Sequence, residues 1–438
     1  MNKAFRGSMV HAPTLGTLEI IRDGLMIVNS SGSITELIDL DKDENAASKI
    51  ADMKSITQVL KTSEILMPGF IDCHAHAPQY SFLGTGMNLP LLEWLNKYTF
   101  PNEAKFRDVD YAQKVYEKVI RRDLCCGTTT CSWFASLHLE SSKLLVDIVR
   151  EQGQRAHIGK VSMDRNSPED YIETTAQGLA DVESFVQFVP SCTSEMMHGL
   201  SAISSKFSDK PGSQLPVHSH LSESKPEQAW VKELHPESET YAHVYADHGL
   251  LHEGAYMAHC VHCCDSEVDV LLEHRTSMVH CPLSNFMLES GVMNVRKMLE
   301  KDVKVGLGTD ICGGYALSML DCMRQTVIAS RTASFTDATT KPITMTEAFY
   351  LATKGGAEVL GLSGVCGDLT PGKQCDVLIV DTAAQPIDLF GFETLEERFE
   401  KFLFVGDDRN IKQVFVDGKQ VVSLNDGDNV VASTTTTP

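Results

Sequence analysis

The stretch MPGFIDCHAHAPQYSF, residues 67–82, decides the fold. Its first half is apolar and predicts a buried strand, Leu66–His74, that runs into two histidines, His74 and His76. A strand repeats every two residues, so both imidazoles stand on one face. With 16 histidines in 438 residues, about 0.6 His-x-His pairs arise by chance, so one pair alone says little. A second pair, His218 and His220, closes another strand candidate, Leu215–His220. His259 closes Ala255–His259, and Asp310 ends VKVGLGTD, residues 303–310. Metal-ligand residue types therefore terminate several buried strands at the same end.

Working outward, further apolar runs at Thr128–Phe134, Ala156–Ser162 and Ser277–Cys281 read as strands. Helical periodicity fills 110–124, 140–152, 170–184, 226–234, 265–275 and 292–301. Buried strands alternating with helices predict an α/β protein with a (β/α)8 TIM-like barrel over residues 67–366. The fourth strand is the weak point. Its candidate, Phe185–Val189, follows a helix with almost no loop, so this region of the barrel is shortened. Thr344-x-x-Glu347 reads as a capping box opening a helix over 345–360. Strand signals recur at Leu18–Val28, Cys375–Val380, Ile411–Val416 and Lys419–Val422, the last two joined by Asp417-Gly418. Residues 1–66 and 367–438 together are expected to form a small composite β-sandwich domain.

Composition narrows the function classes. The net charge of −21 repels phosphate, so nucleic-acid binding is not expected, nor is attachment to an anionic membrane. No run of about 18 apolar residues marks a transmembrane helix. The N-terminus has no apolar signal core, and the 13 scattered cysteines read as free cytoplasmic thiols.

The histidine and aspartate set suits zinc, which takes imidazole and carboxylate ligands and in catalytic sites keeps one position for water. Such a metal lowers the pKa of bound water from 15.7 to about 7. A carboxylate beside that water can take its proton, and Glu223, three residues past His220, is the natural candidate. Period two alone does not choose between His218 and His220.

The chain resembles the amidohydrolase superfamily through His74-x-His76, His220, His259 and Asp310. Narrower motifs resemble the guanine deaminases within it: HAPQYSF at 76–82, LPLLEWLNKYTFP at 89–101, HSHLSE at 218–223, HCPLSN at 280–285, GLGTD with GGY at 306–315, and FLFVGDDRNI at 402–411. The resemblance runs nearly end to end. It implies a cytoplasmic, homodimeric enzyme of purine catabolism that uses one zinc ion per subunit to convert guanine to xanthine and ammonia. It assigns His74, His76, His220 and Asp310 as zinc ligands, which selects His220 over His218. It gives His259 the orientation of water or substrate, Glu223 a proton shuttle to the ring, and Asp310 a second proton transfer. It places the purine against His76, Ala77, Pro78, Gln79, Phe188, His220, Glu223 and Asp310. Trp94, Phe82 and Leu92 are candidates for apolar walls.

One departure stands out. The family carries Pro-Arg-Phe after the fourth strand, its Arg and Phe meeting the purine. Here the run is Val186-Gln187-Phe188-Val189, so Phe188 matches the aromatic and Gln187 replaces the arginine. Loss of a charged donor to a purine carbonyl costs about 1.5–3 kcal/mol, roughly ten- to a hundredfold in binding or rate. Weakened or absent activity with intact zinc ligands is therefore expected. The alternatives are deamination of another aminopurine, pterin or triazine, or a scaffold that keeps the fold without catalysis. Another zinc deaminase signature, His-x-Glu with Pro-Cys-x-x-Cys, fails because His259, not proline, precedes Cys260.

Overall fold

The computed structural model describes residues 2–182, 191–207 and 214–424. The N-terminal part supplies β1 (Lys3–Thr14), β2 (Thr17–Val28), β3 (Ile34–Asp39), β4 (Thr57–Val59) and β5 (Glu64–Pro68). Strands alternating with helices follow: β6 (Phe70–His76), β7 (Thr128–Phe134), β8 (Arg155–Gly159), β9 (His218–Leu221), β10 (Tyr256–His259), β11 (Ser277–His280) and β12 (Val305–Leu307). Then come β13 (Val377–Asp381), β14 (Ile411–Val416) and β15 (Lys419–Ser423).

Both ends of the chain join one sheet, in the order β15-β14-β13-β5-β1-β2-β3, with β4 added to β1. The strand β5 is the hinge of this assembly, parallel to β1 and antiparallel to β13. The sheet is continuous, yet Phe5 on β1 and Phe415 on β14 meet edge to face at 5.1 Å. That contact curls the sheet around a shared apolar core.

The apolar run at 64–76 is two strands, not one. Gly69 divides it, and a Cβ there would lie 2.2 Å from the Thr129 side chain, so only glycine lets β7 approach this closely. The chain thereby passes from the curled sheet (β5) into the parallel one (β6).

The parallel strands form two described sets, β6-β7-β8 and β12-β11-β10-β9. Backbone bonds just past β12 unite them: Asp310 N–H donates to His74 O at 2.8 Å, and His76 N–H to Ile311 O at 3.0 Å. Among the described residues, β8 pairs with β7 and β9 with β10. The fourth-strand candidate Phe185–Val189, with Gln187 and Phe188, lies outside the described residues. The helix expected over 170–184 spans Thr175–Val182 in the described chain.

Helices Val109–Cys125, Leu139–Gln152, Lys225–Leu234 and Asp265–Glu273 follow their predicted periodicity closely. Ser224 and Glu227 cap the third of these reciprocally, satisfying backbone donors that helix starts leave unpaired. The Thr344–Glu347 box forms as expected, but the helix after it breaks at Thr353 into Met345–Leu351 and Lys354–Val359. No described helix is long and apolar enough to cross a membrane.

Strand alternation sets up the site. On β6, Ile71 and Cys73 point at Gly356 of the 354–359 helix, whose lack of a side chain lets the helix sit close. Asp72, His74 and His76 take the opposite face.

Candidate metal centre

Five donor side chains converge at the ends of β6, β9, β10 and β12. Donor atoms of His74, His220, His259 and Asp310 all lie within 4.8 Å of one another. His76 joins them, its Nε2 standing 3.3 Å from Asp310 Oδ1 and 3.4 Å from His220 Nε2. Asp310 Oδ1 is 3.1 Å from His74 Nε2, and its Oδ2 is 3.8 Å from His259 Nε2. His74 Nε2 and His259 Nε2 are buried yet make no hydrogen bond. Buried imidazole nitrogens without a partner are costly. Lone pairs aimed at a common centre beside a carboxylate fit a cation bound by nitrogen and oxygen donors.

The backbone is bent to make this possible. Ser222, His259 and Asp310 take left-handed φ values of 48°, 71° and 47°. Each costs on the order of 1–3 kcal/mol in a non-glycine residue, and such strain gathers where side chains must be re-aimed. Asp72 ties the ends of two strands together. Its Oδ1 accepts from His74 N (3.0 Å) and Thr309 N (3.1 Å), and its Oδ2 from the Thr309 hydroxyl. Burial raises the Asp72 carboxyl to about 7.

Electrostatics agree with a cation site. Burial lowers His74 to about 4 and pushes His220 well down, so both are neutral and free to ligate near pH 7. Burial would raise Asp310, but neighbouring His74 and His76 hold it well below the usual carboxylate range. Glu223 sits opposite. Its Oε1 accepts from Ser290 Oγ at 3.1 Å, and its Oε2 is 3.5 Å from His259 Nε2. Burial, then the charge of Asp310, raises Glu223 to about 8. An acid poised near neutrality beside a cation site can both take and return a proton.

A cavity of about 110 Å³ opens on this cluster, bounded by His76, Gln79, His220, Glu223, His259 and Asp310. Trp94 and Leu92 line it as anticipated; Phe82 does not, packing instead on Trp94 at 5.6 Å. Phe134, Met163 and Trp230 supply apolar wall that the sequence reading missed. Phe134 also stacks on His76 at 4.8 Å. Ala77 and Pro78 are buried in the 3-10 turn Ala77–Phe82, which delivers Gln79 to the cavity. Gln79 is held from both ends: its Nε2 donates to Glu103 Oε1 (2.9 Å), and its Oε1 accepts from Cys312 N (3.2 Å). Glu103 in turn accepts from the Tyr171 hydroxyl. His218 stands behind His74, outside the donor cluster, with its Nε2 2.7 Å from His74 Nδ1.

The Amidohydrolase family model matches residues 65–421 of the chain. A guanine deaminase of Dictyostelium discoideum is 42% identical, with 96% of this chain and 98% of that protein covered. The guanine deaminase of Homo sapiens is 41% identical, with 96% and 97% covered. Among solved structures, a guanine deaminase from C. acetobutylicum with bound guanine superposes with a TM-score of 0.89 at 35% identity, covering 96% of this chain and all of that one. The E. coli guanine deaminase gives a TM-score of 0.86 at 31% identity, covering 97% of this chain and 100% of that one.

Proposed function

Because this chain belongs to the amidohydrolase family, we propose that it is a zinc-dependent hydrolase that deaminates guanine to xanthine and ammonia. The observation that carries the reading is the convergence of five histidine and aspartate side chains, four of which line one cavity with Glu223, in a chain 42% identical to a guanine deaminase over nearly its whole length. In this reading His74, His76, His220 and Asp310 hold the zinc, and His259 faces the water and substrate. In the same reading the seven described parallel strands belong to a (β/α)8 barrel. Residues 1–66 and 367–438 form the companion domain, and its strands joining one sheet support that division.

Zinc held there supplies Lewis acidity, which brings the pKa of water down to about 7. Glu223 takes a proton from the attacking water and delivers it to the purine ring, so negative charge does not build on the heterocycle. Asp310 takes the water's second proton and passes it to the departing amine, which leaves as ammonia. Gln79 meets the purine edge. Its amide, clamped by Glu103 and Cys312, keeps one N–H and one oxygen lone pair for a neutral substrate. In the sequence, Phe188 matches the family's aromatic and Gln187 replaces its arginine. We therefore place the rate on guanine roughly ten- to a hundredfold below that of the family. A cytoplasmic homodimer is part of the same reading, supported by the resemblance to the family.

Zinc-loaded protein given guanine should release xanthine and ammonia. Ammonia from another aminopurine or a pterin, with guanine inert, would move the substrate. Zinc binding without ammonia from any of them would favour the scaffold. A family-like rate on guanine refutes the slowed wall.

A further inference from the structure

We propose that His218, Ser132 and Tyr256 are positioning residues that favour the metal-binding form of His74 through a hydrogen-bond relay. His74 Nδ1 lies 2.7 Å from His218 Nε2. His218 Nδ1 lies 3.1 Å from Ser132 Oγ, which is 2.8 Å from the Tyr256 hydroxyl. The Tyr256 hydroxyl reaches His157 Nδ1 at 3.5 Å. The five residues come from β6, β9, β7, β10 and β8, so the relay crosses the strands beneath the site. Ser132 and Tyr256 are each 2% exposed, at strand positions where barrels usually carry branched apolar side chains.

The direction of the first two links follows from one constraint. A neutral imidazole carries one proton, and between two ring nitrogens in contact one must donate and the other accept. His74 offers Nε2 to the donor cluster, so its proton is on Nδ1 and is donated to His218 Nε2. The proton of His218 is then on Nδ1 and is donated to Ser132 Oγ. The Ser132 hydroxyl, whose oxygen accepts from His218, shares a hydrogen bond with the Tyr256 hydroxyl in which either oxygen can donate, and the Tyr256 hydroxyl faces His157 Nδ1. If His218 instead carried its proton on Nε2, His74 would have to accept at Nδ1. Its own proton would then block Nε2, the atom that ligates. The tautomer of His218 and the ligating competence of His74 are one variable, and Ser132, held by Tyr256, supplies the acceptor that the ligating tautomer needs. Chained bonds of one sense also polarise one another, which makes His74 a stronger donor.

This inference rests on the reading of the cluster as a metal site and is independent of the choice of guanine. The test is zinc affinity, measured by chelator competition on the whole protein, together with nitrogen NMR of the histidine tautomers. Ser132→Ala should weaken zinc binding about tenfold and populate both tautomers of His218, the range seen when partners of ligating residues are removed. Tyr256→Phe, which keeps the ring volume, should weaken it in the same direction. Ser132→Thr should restore affinity and the single tautomer by returning the hydroxyl. Zinc affinity and tautomer unchanged in Ser132→Ala, or in Tyr256→Phe should the alanine variant not fold, overturns the relay while leaving the metal site standing. A wild-type protein with no zinc affinity overturns both.

Discussion

His259 Nδ1 lies 3.0 Å from Asn285 Oδ1, a contact between the end of β10 and the short helix Pro282–Met287. The acceptor holds the imidazole proton on Nδ1 and turns Nε2 toward Glu223 and Asp310. Asn285→Ala removes that hold without touching a donor atom of the cluster. Guanine turnover should fall about ten- to a hundredfold with zinc content unchanged, by analogy with loss of other outer partners of site histidines. Steady-state kinetics beside metal analysis checks this, and a variant that loses its zinc contradicts it.

Glu223→Gln tests the proton shuttle. The amide keeps the size of the side chain and can still accept from Ser290. It cannot carry a proton between water and substrate. Turnover should drop by about 10²–10⁴, the usual contribution of a positioned acid or base, while guanine binding persists. Calorimetric titration of the variant with guanine gives the second half; a variant that still turns over at a tenth of the original rate removes Glu223 from the mechanism.

A pH dependence of stability follows from Glu227, which receives Glu223 N, Ser224 N and the Tyr241 hydroxyl in a buried pocket. Burial, then the nearby Glu223, raises its carboxyl from 4.5 to about 7. Between those values the folded protein binds a proton that the unfolded chain has released. Stability from this group is therefore lost as pH rises through the window. Glu227→Gln removes the dependence, so the variant should gain on the wild type between pH 5 and pH 7.5. Urea melts at the two pH values decide it, and a variant that loses ground with rising pH has the sign wrong.

The parts of the site that could be read in the sequence are those that local spacing encodes. His74, His76, His220 and Asp310 follow apolar runs in the sequence, period two puts His74 and His76 on one face, and the family resemblance selects His220 over His218. Asn285 ends the motif HCPLSN and Glu103 lies two residues past LPLLEWLNKYTFP, and neither shows a role in the sequence. Their partners, His259 and Gln79, are 26 and 24 residues away in the chain, and no periodicity links such positions. Ser132, Tyr256 and His157 look like ordinary strand residues until the parallel strands bring them together. Gly69 was equally silent, because the need for glycine there comes from Thr129 on a neighbouring strand. The helix break at Thr353 was missed because the apolar pattern continues across it.

Gly308 carries the last prediction. It follows β12 directly, and its N–H donates to His280 O at 3.0 Å. A Cβ at this position would stand 2.7 Å from His74 Cβ and 3.0 Å from Val279 Cγ1. Neither neighbour is the loose end of a flexible chain: one is the first side-chain atom of a candidate ligand, the other part of a packed strand. Gly308→Ala must therefore push β12 away from β6, at the junction where Asp310 N–H meets His74 O. Overpacking of this kind costs about 1–3 kcal/mol. The same displacement separates Asp310 from His74, so zinc affinity should fall at least tenfold alongside the melting temperature. The paired loss distinguishes a strained junction from a merely destabilised fold. A variant that melts lower but binds zinc as tightly as the wild type shows that the ligand geometry does not depend on this approach.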